Sequence, residues 1–253
     1  MSKKPYRLFK LQGNHLYGIL FTKKLMLDGT VSLIIFSIEF IILLGVIIFN
    51  RDHKLFWSIV AMLALLQLYQ LSEFLICIGI GLNITGRIGY VIITFLPATG
   101  YYLASKIVKW KYPDYLVFFA LATGFSLYYL IVPTSISLVN CNPLYAIYHS
   151  EISILYTTFY MSSILYSILF LLAHLIWRKD KIDSKASLMF IIGYLSFLVP
   201  MILMIWIDSF FKVTVTSIMC KYALSLAVIL GAFSFVKPKN KEEVEEVVEE
   251  KLD

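Results

Sequence analysis

Apolar residues in this chain gather in seven long blocks instead of alternating with polar ones at a helical or strand period. In order they run 31–49, 55–78, 88–105, 115–132, 152–177, 186–207 and 213–236. Each meets or nearly meets the ~20 apolar residues that a helix needs to cross a bilayer core. The blocks predict an all-α integral membrane protein, a bundle of seven transmembrane helices. Connections between them are short, so consecutive helices are expected to be antiparallel neighbours.

Composition leads to the same class. With 60% hydrophobic and 15% charged residues among 253, a water-soluble domain would leave much of its apolar surface exposed. Three regions follow: a basic arm over 1–30, lying in the interface plane or partly disordered, the helical domain over 31–236, and an acidic tail over 237–253. The arm lacks the apolar run and cleavage site of a removable signal peptide, so the first block is expected to direct insertion.

Basic residues set the expected orientation. Loops after the first, third and fifth blocks carry Arg51, Lys54, Lys106, Lys109, Lys111, Arg178, Lys179, Lys181 and Lys185, whereas the opposite loops carry Arg87 and Lys212. Retention of Lys and Arg in the cytoplasm places the N-terminus outside and the C-terminus inside. Lys3, Lys4, Arg7, Lys10, Lys23 and Lys24 in the arm oppose that assignment. The same bias explains the basic charge without nucleic acid. The expected location is the cell membrane, crossed several times.

The tail is chemically distinct. Residues 242–253 hold seven acids and one lysine, so this segment carries −6 and the remainder of the chain +12 of the net +6. Val244, Val247, Val248 and Leu252 form a narrow helical stripe, which suits a solvated tail or a docking helix for a cytoplasmic protein.

Few ionisable groups interrupt the blocks. Glu39, Glu73 and Lys221 all fall roughly 8 to 13 Å below the same boundary at ~1.5 Å per residue. Buried charges seek partners or wet cavities, so the three are expected to meet where the first, second and seventh helices adjoin, in a ring closed in sequence order. Gln67 and Gln70 extend this polar lining on the second helix, and Ser217 and Ser225 extend it on the seventh, beside Thr214. The cluster reads either as a ligand or proton site or as a network holding the helices together. Pro97 and Pro200 each remove a helical hydrogen bond and predict kinks in the third and sixth helices.

Other chemistry-bearing residues are few. Cys77, Cys141 and Cys220 lie toward one side; apolar free thiols are the expectation, with a Cys77–Cys141 disulfide as the alternative. His15, His53, His149 and His174 are scattered, and no metal or cofactor site is expected. No serine-elbow or HExxH motif lies within a block, so the chain is not expected to be an enzyme.

The runs FNRDHKLFWSIVAMLALLQLYQLSEFLI, RIGYVIITFLPATGYYLASKI, SLMFIIGYLSFLVPMILMIWID and TSIMCKYALSLAVILGAF combine a basic turn, a glutamate near the second helix end and mid-helix prolines. Together they resemble the seven-helix N-terminal sensor region of some membrane histidine kinases, over about residues 30–236. That resemblance implies an N-out bundle feeding a cytoplasmic partner through its last helix. A kinase domain is not expected, since the short acidic tail follows the last block. Three functions remain open: a sensor or receptor-like module that binds a small molecule in its outer half, a small transporter or proton-coupled carrier using Glu39, Glu73 and Lys221, and a structural membrane protein.

Overall fold

The computed structural model describes residues 29–141, 146–177, 181–207 and 215–235. Nearly all of the N-terminal arm and the whole acidic tail lie outside them. Among these described residues seven helices form: α1 Thr30–Phe49, α2 Phe56–Cys77, α3 Leu82–Ile107, α4 Tyr115–Ile131, α5 Ser153–Trp177, α6 Lys181–Ile207 and α7 Val215–Ser234. Four described stretches, Thr30–Phe49, Phe56–Cys77, Ile84–Ile107 and Ser153–Trp177, are long and apolar enough to cross a membrane.

Helix α1 shows how this sequence partitions. Ser32, Ile35, Glu39, Leu43 and Val46, spaced by three, four, four and three residues, make one buried stripe. The opposite face exposes Ile34, Ile38, Ile41, Leu44 and Ile48. A contiguous apolar face of this kind needs lipid or another protein to cover it.

The bundle is not the simple ring expected from sequence order. Helix α1 does close against both α2 and α7, but α3 sits inside, packed on α2, α4, α5 and α6. Of the most apolar windows, that of α3 is 72% buried and that of α1 28%, which separates central from peripheral. Small residues on α3 permit the crowding. At Gly89 an added Cβ would press on Ser72 of α2, and at Gly100 it would overlap the Tyr194 hydroxyl of α6. Helices without much hydrophobic drive between them associate through such close approaches. Gly100→Ala should therefore destabilise the protein by about 1–3 kcal/mol through overpacking. Gly124→Ala on α4, where nothing lies within 4 Å, should leave the detergent melting curve unchanged or slightly raised.

Both expected kink sites fall inside continuous helices, Pro97 in α3 and Pro200 in α6. Pro97 lines a central cavity of about 10 Å³ with Met62, Tyr160 and Tyr194, room for a single water.

An addition to the all-α expectation joins α4 to α5. Strands β1 Ser137–Cys141 and β2 Ala146–His149 pair antiparallel, with Ser137 opposite His149, Leu138 opposite Tyr148, Asn140 opposite Ile147 and Cys141 opposite Ala146. A bulge between Leu138 and Asn140 shifts the register. An isolated two-stranded hairpin is marginal in water, so its anchors matter. Tyr148 packs edge-on against Tyr90 of α3 at 5.3 Å between centroids. Tyr90 continues the contact to Tyr129 and Tyr156 at 5.2 and 5.8 Å.

At the opposite end, the turn between α1 and α2 locks onto the end of α7. With its amide turned so that both groups are satisfied, Asn50 accepts from the Ser234 hydroxyl at 3.0 Å and donates to the Ser234 and Phe49 carbonyls. His53 lies edge-on to Phe233 at 5.4 Å, and its Nδ1 accepts the Leu55 N–H at 3.2 Å. Burial holds the His53 pKa below its usual 6.5. A depressed histidine pKa means that the unfolded chain binds the proton more readily, so this contribution is complete above about pH 6.5 and is lost as pH falls below it. The melting temperature should fall modestly between about pH 7 and about pH 5, with a smaller drop in His53→Gln.

Candidate functional site

Gln70 and Glu73 stand three residues apart on α2 and so share one face. That face meets Ser32 of α1 and Lys221 of α7. The Lys221 ammonium donates to Glu73 Oε2 at 2.6 Å, to Ser32 Oγ at 2.6 Å and to Gln70 Oε1 at 2.9 Å. An ammonium has three donors, and all three are engaged. Glu73 is fully buried, and the Lys221 side chain is 14% exposed. A buried ion pair gains over its desolvation only when the remaining lone pairs are also satisfied. Here they are: Glu73 Oε1 accepts the backbone N–H of Ala146 at 2.8 Å.

That last bond ties the helical pair to the hairpin. One turn beyond Glu73 on the same face of α2, Cys77 is disulfide-bonded to Cys141, with the Cα atoms 5.6 Å apart. Cys141 and Ala146 are cross-strand partners. Two residues one helical turn apart thus grip two facing residues of the hairpin, one covalently and one through a charged acceptor. Burial of Ala146 and Tyr148 completes the attachment. The expectation of free thiols is corrected for Cys77 and Cys141: strand β1 carries position 141 to the end of α2.

The expected three-charge cluster is reduced to a pair. Glu39 is fully buried on α1, but neither of its oxygens has a hydrogen-bond partner among the described residues. It lies seven residues inward from Ser32 on the same stripe, about 10 Å along the axis. Lys221 acts on it electrostatically without bonding to it. Gln67 is buried one turn inward from Gln70 and makes no hydrogen bond to Lys221 among the described residues. Ser225 turns toward α6, its hydroxyl 2.8 Å from that of Ser196 and donating to the Tyr222 carbonyl at 2.6 Å. Ser217 belongs to α7, but its side chain, like Thr214, lies outside the described residues.

Sequence reasoning missed Ser32, Ala146 and the tyrosines beneath the hairpin. Tyr129 and Tyr156 meet edge to face at 5.5 Å, and the Thr94 hydroxyl lies 3.3 Å from that of Tyr156. The loop between the fourth and fifth blocks holds Tyr145 and Tyr148, but no pattern in it announced a strand pairing. Among the described residues, no group of three His, Cys, Asp or Glu could hold a metal ion. The assembly is suited to holding, exchanging or releasing one cation's partners, since α1, α2, α7 and the hairpin all converge on Lys221 and Glu73. The chain matches no protein-family profile and no curated protein.

Proposed function

We propose that this chain is a seven-helix membrane sensor or receptor-like module, multi-pass in the cell membrane, with its N-terminus outside and its C-terminus cytoplasmic. A ligand reaching the hairpin end shifts the partners of Lys221 and thereby moves α7, and a separate cytoplasmic protein reads that movement at the inner loops and tail. The observation that carries this reading is the Glu73 carboxylate, whose two oxygens bind α7 and the hairpin respectively. Whatever displaces the hairpin must disturb α7 as well. Orientation draws support from the basic loops and from the disulfide, because such bonds persist in oxidising compartments. The resemblance to kinase sensor regions favours the same arrangement.

Signalling requires different ligand affinities in two bundle states. Native mass spectrometry of the protein from lipid nanodiscs tests this. The expected result is a small-molecule adduct retained by the native chain and lost in Glu73→Gln. Absence of any adduct, together with no thermal shift across a broad metabolite panel, would remove the ligand-sensor reading.

A carrier is the second reading, favoured by Glu39, which has no hydrogen-bond partner among the described residues of the bundle. Counter-flow of the adducted compound into sealed liposomes by this chain alone would replace the sensor with a transporter.

A further inference from the structure

Two carboxyl groups and one ammonium lie where α1, α2 and α7 meet. Lys221 uses its three donors on Ser32, Gln70 and Glu73, which leaves Glu39 fully buried with both oxygens unpartnered among the described residues. The other titratable groups on the packed elements do not relieve it. Tyr69 of α2 turns toward α3 at Gly89. Tyr222 of α7 is a half-buried phenol, and His149 and Glu151 at the hairpin end are exposed. Among the described residues none supplies a second cation inside the junction. An ionised Glu39 would then give this apolar interior a net negative charge with no donor to spread it, which buried sites avoid by binding a proton or recruiting a partner.

We infer that Glu39 is a proton-binding site, holding one proton while Lys221 is paired with Glu73 and competing with Glu73 for Lys221 once that proton is released. The balance is simple: the carboxylic O–H breaks, the proton passes to water, and one ammonium is left between two carboxylates. Lys221 is the partly exposed member of the junction, so it borders the route to water. Drawing its ammonium inward removes it from Ser32 and weakens its hold on Glu73, whose other oxygen grips the hairpin at Ala146. Loss of the Glu39 proton is therefore felt at the hairpin and along α7. The inference rests on reading this junction as the sensory site and adds a proton as a second ligand there, beside the small molecule.

Infrared difference spectra of the full chain in lipid, with pH as the only variable, test it. At about pH 7 the native protein should show the carbonyl stretch of a protonated carboxylic acid lacking a hydrogen bond. Glu39→Gln should abolish that band. Glu73→Gln should also abolish it at the same pH, because Lys221 then turns to Glu39. No such band in the native protein, or a band unchanged in Glu39→Gln, overturns the proton site, and a band that survives in Glu73→Gln overturns the exchange. Melting gives an independent readout, since the neutral amide of Glu39→Gln mimics the protonated acid. An unchanged melting temperature supports the inference, and a clear loss, or failure to fold, means that Glu39 is ionised and overturns it. The sensor reading fails separately, if the bands behave as expected yet the chain alone transports an adducted compound.

Discussion

Lys221→Met is expected to be among the most damaging single substitutions in this protein, lowering stability by about 3–5 kcal/mol, because it leaves the Glu73 carboxylate buried without its cation. The hydrogen-bond geometry specifies which second change repairs the loss. Glu73 accepts from Lys221 at 2.6 Å and from Ala146 at 2.8 Å, so Glu73→Gln keeps the volume and can still accept from Ala146 while removing the stranded charge. The Glu73→Gln, Lys221→Met double variant should therefore be more stable than Lys221→Met alone, with a coupling energy of about 1–3 kcal/mol in the cycle. Glu39→Gln combined with Lys221→Met should recover much less, since Glu39 makes no bond to Lys221. Thermal melts of the variants in one detergent decide the matter. Additive losses along the Glu73 cycle would mean that the ion pair contributes nothing, and equal recovery from the Glu39 change would mean that the ammonium sits elsewhere.

The contrast between Glu73 and Glu39 marks how far one sequence can be read. Every apolar block became a helix with ends close to the expected ones, because lipid and protein interiors both reward long unbroken apolar runs. The largest boundary error is at α3, which starts at Leu82 rather than at Ile88. There Asn83, Thr85 and Arg87 mask the helix in a hydropathy reading, while Arg87 in fact reaches out to the Pro133 carbonyl at 2.8 Å. Depth along each helix brought Glu73 and Lys221 together correctly. It failed for Glu39 because residue counting locates a Cα and not the end of a long side chain. Lys221 extends toward the hairpin end, as lysines near a boundary snorkel outward, and it meets Ser32 instead of Glu39. A serine seven residues away carried no charge to attract attention. The interior position of α3 was equally hidden, since connection lengths restrict neighbours in sequence but do not say which helix the others surround. The hairpin escaped notice for a local reason: its strands are five and four residues long and carry a bulge, too short for alternation to stand out.

Breaking the Cys77–Cys141 bond is the second large perturbation. It closes a segment of 64 residues that includes α3 and α4, for which chain-entropy arguments give about 4 kcal/mol at room temperature. Packing of α3 against α2 and α4 already limits where Cys141 can wander, so the expected loss lies nearer about 2 kcal/mol than the full figure. Cys141→Ser should melt at a lower temperature than the native protein and should become insensitive to reductant, whereas the native curve should shift down when a phosphine reductant is added. A native curve indifferent to reductant would show that the Glu73–Ala146 bond and the Tyr148 contact hold the hairpin by themselves. The same bond also tests sidedness. If the hairpin faces the exterior, a membrane-impermeant maleimide applied to intact cells should label Cys77 and Cys141 only after treatment with an impermeant reductant. Labelling that appears only once the membrane is opened would place the hairpin in the cytoplasm, where a disulfide of this kind is not expected to persist, and would reverse the assigned orientation of all the helices at once.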